Sequence, residues 1–377
     1  MHTTTKRMLS RAVALLGFFL LQACVQKQDS RHSEFAEDPL SWSVLESGPL
    51  NVGHRSFDAE YEDPTGLAVT LPVDVWYPTE DDVGDASMYY DIVRDELAFS
   101  EASVAAPVHP DGHPVLVFSH GSNLYGGSSS YLMRHFASHG WMVVAPTHVG
   151  NTMTEFGGGD CDSDIASCRT LPVWYQRPQN TMVALAAMGE HPDFGATANT
   201  EDIVLAGFSY GAFDTWARVG ASIGLETIED ACEAGGFDGG CTEAGIDALA
   251  MDFFDARIRA AIPIAGAHDF PFGEQGRRDL SVPVMQMSGT ADDDSPDWVW
   301  ENSVGTPMHW VSIEQGCHQM FSLGGCPEIE AEVGFDMIEA YVFAFARRHL
   351  LNDTSEETLG LLEGSLSPWA QVSVQNR

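Results

Sequence analysis

Ile203-Val204-Leu205-Ala206-Gly207-Phe208-Ser209-Tyr210-Gly211-Ala212 is the stretch that decides the fold. An apolar strand runs into Gly-x-Ser-x-Gly and then into a helical pattern, the strand-turn-helix context in which this pentapeptide forms a nucleophile elbow. The two glycines are expected to permit a sharp turn with no Cβ in the way, lifting the Ser209 hydroxyl clear of the sheet. The backbone N–H of Tyr210 is then placed to receive an oxyanion. Ser209 is therefore the candidate nucleophile.

A serine hydroxyl needs a base to take its proton, and the base needs a carboxylate to fix its tautomer. Both follow in chain order. Val282-Pro283-Val284-Met285-Gln286-Met287 reads as a buried strand leading into Ser288-Gly289-Thr290-Ala291-Asp292, which puts Asp292 on the loop at its C-terminal end. The next strand, Met308 to Ile313, is followed by Gly316-Cys317-His318-Gln319, so His318 lies on the corresponding loop one strand later. His318 is the candidate general base and Asp292 its orienting acid. Upstream, Pro114 to Ser119 is a strand ending in His120-Gly121-Ser122, with His120 expected to be structural, hydrogen-bonded under its loop.

Together these segments resemble the branch of α/β-hydrolases that contains platelet-activating-factor acetylhydrolases and the bacterial predicted dienelactone hydrolases. The likeness runs from about residue 67 to 350 and includes Val75-Trp76-Tyr77-Pro78, Phe118-Ser119-His120-Gly121, Ala137 to Ala145, His148-Val149-Gly150-Asn151-Thr152, Arg177-Pro178-Gln179-Asn180, the elbow and His318-Gln319-Met320-Phe321. It implies that the backbone N–H of Ser122 joins that of Tyr210 as the oxyanion pair. It leaves two positions for the acid. The acetylhydrolases carry it after the strand that directly follows the nucleophile helix, which here points to Asp269, whereas the bacterial relatives resemble Gly289-Thr290-Ala291-Asp292; Asp292 is favoured.

Strands alternate with helical patterns at Tyr131–Ser138, Pro178–Met188, Ala212–Ser222 and Glu330–Leu350, which predicts an α/β fold with a mostly parallel central sheet flanked by helices and cap-like loop insertions. Ligands of such sheets bind beyond the C-terminal ends of the strands, where Ser209, Asp292 and His318 all fall. Insertions at 149–176 and 223–256 are expected above the site, and Trp174, Trp141, Tyr125 and Phe208 are candidates for an apolar wall. The hydrolase domain is read as 46–350, and the segment 351–377 as a tail of no legible role.

Met1 to Cys24 reads as a processing segment: Lys6, Arg7 and Arg11 precede an apolar run from Ala12 to Leu21, and Leu21-Gln22-Ala23-Cys24 looks like a bacterial lipobox that would leave Cys24 lipidated. Residues 25–45 suit a flexible tether. The expectation is an exported, membrane-anchored monomer. Six cysteines remain, grouped by proximity as Cys161 with Cys168, Cys232 with Cys241 and Cys317 with Cys326, and three local disulfides are the simplest pairing for an oxidising compartment. None of these spacings resembles a zinc site, so no metal is expected. Asp160-Cys161-Asp162-Ser163-Asp164 lacks the glycine and closing glutamate of a calcium loop and reads as a solvated acidic turn.

Charge excludes other classes. The chain carries 18 basic and 55 acidic residues, net −37. Such a field opposes nucleic acid and anionic lipid surfaces. The resulting expectation is a cofactor-free serine hydrolase acting on short-acyl ester substrates, small or polymeric. The rival readings are a lipid-anchored binding protein on a lapsed hydrolase scaffold and an acyltransferase.

Overall fold

Short apolar runs buried at every position and bounded by turns form the central strands, and three of them set the frame. β5 (His113–Ser119), β6 (Met142–Pro146) and β9 (Val284–Gly289) are buried at every position. Strands buried on both faces belong in a parallel sheet covered by helices on each side. The structure, a computed structural model, describes residues 38–155, 171–237, 239–266, 270–273, 275–292, 296–322 and 324–377. The chain divides at Ser41: before it the described residues form one 3-10 turn, Pro39–Ser41, and the architecture below concerns Trp42–Arg377.

The remaining strands are β1 (Asn51–Glu62), β2 (Ala68–Thr79), β3 (Ala86–Tyr89), β4 (Val93–Ser100), β7 (Ala198–Phe208), β8 (Ile258–Ile264), β10 (Met308–Ile313) and β11 (Val372–Asn376). They form one sheet in the order β11-β10-β9-β8-β7-β5-β6-β2-β1-β4-β3. From β10 to β6 every neighbour is parallel. β2 runs antiparallel to β6 and β1, and β11 antiparallel to β10.

Helices α1 (Ser130–Ser138), α2 (Leu171–Glu190), α3 (Tyr210–Arg218) and α6 (Pro296–Asn302) supply crossovers; α4 (Leu225–Glu233), α5 (Glu243–Leu249), α7 (Ala331–Leu350) and α8 (Glu356–Glu363) complete the set. The period-2 geometry of the strands divides the interior into two cores. Val204 and Ala206 of β7 join a cluster with Phe136 of α1 and Phe343 of α7, whereas Ile203 and Leu205 join Trp174 of α2 and Phe213 of α3 on the other face. Each fully buried Phe, Leu or Val contributes about 1.5–3 kcal/mol, so both faces must be covered for the sheet to persist.

Two details depart from the sequence reading, and a third, the internal structure of the second insertion, adds to it. Pro178 does not begin a helix but lies inside α2. Pro178 has no N–H to give Trp174 O, the i−4 carbonyl, and Pro178 O itself accepts from Arg218 Nη1 at 3.0 Å and Thr181 Oγ1 at 3.1 Å, which ties this turn to α3. The second insertion forms α4 and α5, which pack against each other, while α5 also packs on α2. The residues after 350 are part of the sheet: α8 packs on α7, and β11 pairs with β10 from His309↔Asn376 to Ile313↔Val372. A five-residue, half-exposed edge strand carries too little periodicity to be read from sequence.

Candidate active site

The elbow is built from backbone contact. Ser209 has φ 53° and ψ −116°, a strained conformation for a residue with a side chain, and it caps the N-terminus of α3. Its N–H donates to Ile264 O at 2.8 Å, which ties the turn to β8. The positive φ thus falls on the serine, and the flanking glycines serve close approach instead. A Cβ on Gly207 would lie 2.1 Å from Gly211 O, and one on Gly211 would lie 2.0 Å from Ser119 O. Neither is compatible with any side chain.

Around this turn the structure brings the three predicted side chains together. Ser209 Oγ is 2.8 Å from His318 Nε2, and His318 Nδ1 is 2.7 Å from Asp292 Oδ2. Each comes from a loop beyond the C-terminal end of a parallel strand: Ser209 after β7, Asp292 after β9, His318 after β10. An ionised carboxylate accepts, so Nδ1 carries the proton and Nε2 is left to accept from the serine hydroxyl. Asp292 is well shielded, with its side chain 8% exposed, while that of His318 is 30% exposed and open to a reactant. Asp269 lies outside the described residues.

The loop carrying His318 is a 3-10 turn, His318–Phe321, bounded by the Cys317–Cys326 disulfide with S–S 2.02 Å. Ser129 Oγ and Tyr131 Oη both donate to Phe321 O at 3.1 Å, and Ser322 Oγ donates to Ser128 O at 3.0 Å. The second predicted bridge, Cys232–Cys241, is formed with S–S 2.12 Å between the ends of α4 and α5. Cys24, Cys161, Cys168 and the acidic turn around them lie outside the described residues.

Beneath the His120-Gly121-Ser122 loop is a buried polar network that the sequence did not reveal. Arg177 donates through Nη1 to His120 O at 2.5 Å, and through Nη2 to Gly121 O at 3.1 Å and Asn151 Oδ1 at 2.5 Å. Asn151 Nδ2 in turn donates to Ser122 Oγ at 3.0 Å. The Arg177 guanidinium lies 4.9 Å from the centroid of the Tyr210 ring. Burial pulls its pKa down to about 10, against the attraction of Tyr210 and Asp214. His148 N–H donates to His120 Nε2 at 2.9 Å, which puts the proton of His120 on Nδ1, where it donates to Gly121 O at 2.6 Å. His120 is therefore structural, as the sequence suggested, and neutral: burial and the charge of Arg177 push its pKa well down. His148 is depressed for the same two reasons. The sequence signal was present in Asn151 and Arg177, both inside motifs, but nothing local said that they meet.

Of the four aromatics proposed as an apolar wall, Phe208 contacts the site. Its ring is 4.9 Å from that of His318, and a Cβ on Gly121 would come within 3.0 Å of it. Trp174 packs behind the elbow on Tyr210 and Phe213; Trp141 packs on Phe136 and Phe343; Tyr125 stacks on Tyr90. Among the described residues no cluster of His, Cys, Asp and Glu has the makings of a metal site, and no helix is long and apolar enough to cross a membrane.

Comparison with known proteins agrees with this architecture. A chlorophyllase family model matches residues 96–223, from β4 through the His120–Ser122 loop and the elbow to just past α3. A ferulic acid esterase from Streptomyces cinnamoneus has a similar structure, with a TM-score of 0.60 over 88% of this chain and 98% of that chain at 20% sequence identity. No curated protein matches the sequence. The fold is that of the α/β-hydrolases.

Proposed function

We propose that the protein is a serine hydrolase of carboxylic esters, and the observation that carries the reading is the continuous Ser209–His318–Asp292 hydrogen-bonded relay. Ser209 Oγ attacks the ester carbonyl while His318 Nε2 takes its proton; Asp292 holds the imidazole and stabilises the imidazolium. The oxyanion is received by the backbone N–H of Tyr210, at the positive end of α3, and that of Ser122. His318 then returns the proton to the departing alkoxide, leaving an acyl-enzyme. Water, deprotonated by His318, attacks the acyl carbon, and the carboxylic acid leaves with Ser209 restored. No cofactor enters this chemistry. The esterase named among the similar structures and the chlorophyllase family model support ester cleavage. Phe208 lies against both His318 and Gly121 at the site, and the short acyl group is proposed from the acetylhydrolase and dienelactone hydrolase branch that the motifs resemble.

Two disulfides support folding in an oxidising compartment, and with the lipobox they support export and a lipid on Cys24. Mass spectrometry of the native N-terminus tests that part. The enzymatic part is tested by fluorophosphonate labelling and by a p-nitrophenyl ester chain-length series. Rates should be highest with acetate or butyrate, and Ser209→Ala should lower kcat by on the order of 10⁴-fold or more with the fold intact. Full turnover in that variant would end the assignment.

A further inference from the structure

We infer that Arg177 is a positioning residue for the oxyanion hole: it sets the direction of the Ser122 N–H without touching the reacting atoms. The inference rests on the esterase reading above and adds a residue to it.

The argument begins with the peptide plane. The Gly121 carbonyl and the Ser122 N–H belong to one trans peptide, so the two groups point in opposite directions and fixing one fixes the other. Gly121 O accepts twice, from Arg177 Nη2 and from His120 Nδ1, which uses both its lone pairs. The preceding carbonyl, His120 O, is held by Arg177 Nη1. Two consecutive carbonyls therefore turn toward the guanidinium, and the amides of Gly121 and Ser122 turn away from it. The same guanidinium lies against the ring of Tyr210, whose own N–H is the other proposed donor. Through Asn151 it also reaches Ser122 Oγ.

Chemistry favours arginine here over any other cation. Its fixed fork can address two adjacent carbonyls and an amide oxygen at once, which a lysine ammonium on a flexible stem cannot do in the same geometry. A donor on Gly121 O also polarises the peptide and strengthens its N–H as a donor, an effect enhanced where water is excluded. The chain has 18 basic residues, and burying one of them completely behind a backbone loop requires compensation of this kind.

The test compares Arg177→Lys and Asn151→Ala with wild type in p-nitrophenyl acetate hydrolysis and in binding of an alkyl boronic acid, whose tetrahedral adduct with Ser209 places an oxygen in the oxyanion hole. Arg177→Lys should lower kcat by about 10²-fold and Asn151→Ala by about tenfold, since loss of one oxyanion donor outright is worth about 10²–10³. KM should stay within about threefold, and boronate affinity should fall in proportion to kcat/KM. A residue that merely supported the fold would lower the unfolding temperature without that proportionality. Wild-type kcat in folded Asn151→Ala, or activity lost with boronate affinity intact, overturns the inference, and Asn151→Ala carries the test if Arg177→Lys fails to fold. If wild type neither labels with a fluorophosphonate nor hydrolyses the ester, it is the esterase reading that has failed.

Discussion

Ser209 and the His120–Ser122 loop are held where backbone packs on backbone, whereas His318 stands on a 3-10 turn tied down by a disulfide and by hydroxyls. On the first side, Gly207 and Gly211 leave no room for a methyl group, and Arg177 holds the loop from behind. On the second, Cys317–Cys326 closes the loop, and Ser129, Tyr131 and Ser322 fix its backbone. Under the esterase reading proposed above, the difference follows from what each part must do. A nucleophile and its oxyanion donors need fixed distances and low dielectric, which only close packing supplies. A base that must take and return a proton beside an entering reactant needs access, so its restraint comes from the flanks.

Asp292 holds His318, and substituting it probes the whole relay. Asp292→Asn should lower kcat by about 10⁴-fold, the effect expected when an orienting carboxylate becomes an amide and the imidazole takes the wrong tautomer. Asp269→Asn should leave kcat within about threefold on the same principle, because the contact to His318 is made by Asp292. A dead Asp269 variant with an active Asp292 variant would reverse the choice of acid.

Next in size is the packing of the elbow. Gly211→Ala forces a methyl group to 2.0 Å from Ser119 O, where the nearest atoms are backbone and cannot swing aside. Overpacking of this kind costs about 1–3 kcal/mol or more, so the variant should unfold at lower temperature and lose activity together. Calorimetry and esterase assays on the same sample check it. A stable, active Gly211→Ala protein would show that the elbow has slack and would remove the contrast drawn above.

The base side should be more forgiving. Replacing Cys317 and Cys326 by serine loosens the loop, but the three hydroxyl-to-carbonyl contacts stay, so kcat should fall by less than about tenfold, against about 10²-fold for an unrestrained shift of 1 Å. A larger loss would make the disulfide the dominant restraint on His318.

The smallest effect concerns acid. Burial and the nearby Arg177 charge push the pKa values of His120 and His148 well below 6.5, so both stay neutral when folded. Unfolding or local opening lets them take up protons once the pH drops below about 6.5, the unfolded value. Their contribution to stability is thus complete above that pH and is lost progressively as pH falls. After correction for intrinsic exchange, hydrogen exchange at pH 5 should show greater opening of residues 119–122 and 147–148 than at pH 7. Residues 317–322 should change less. Equal change in both segments would erase the distinction between a packed side and a tethered one.

The elbow and the placement of His318 and Asp292 beside it were legible in the sequence because each is local: a pentapeptide between a strand and a helix, and single residues at the ends of strands that their own hydrophobicity announces. The parallel sheet followed from the same alternation of patterns, and the Cys232–Cys241 and Cys317–Cys326 pairings from proximity along the chain. What the tertiary structure alone decided lies where distant segments meet. Arg177 of α2, Asn151 after β6 and the His120–Gly121 carbonyls after β5 come together only once the sheet has formed. The edge strand β11 exists only because β10 offers it a partner, and Pro178 O meets Arg218 only because α3 packs against α2. Sequence patterns record short-range periodicity and polarity, whereas a side chain's hydrogen-bonding partners are set by which segments the fold brings within about 3 Å, and that information is carried by no single stretch of the chain.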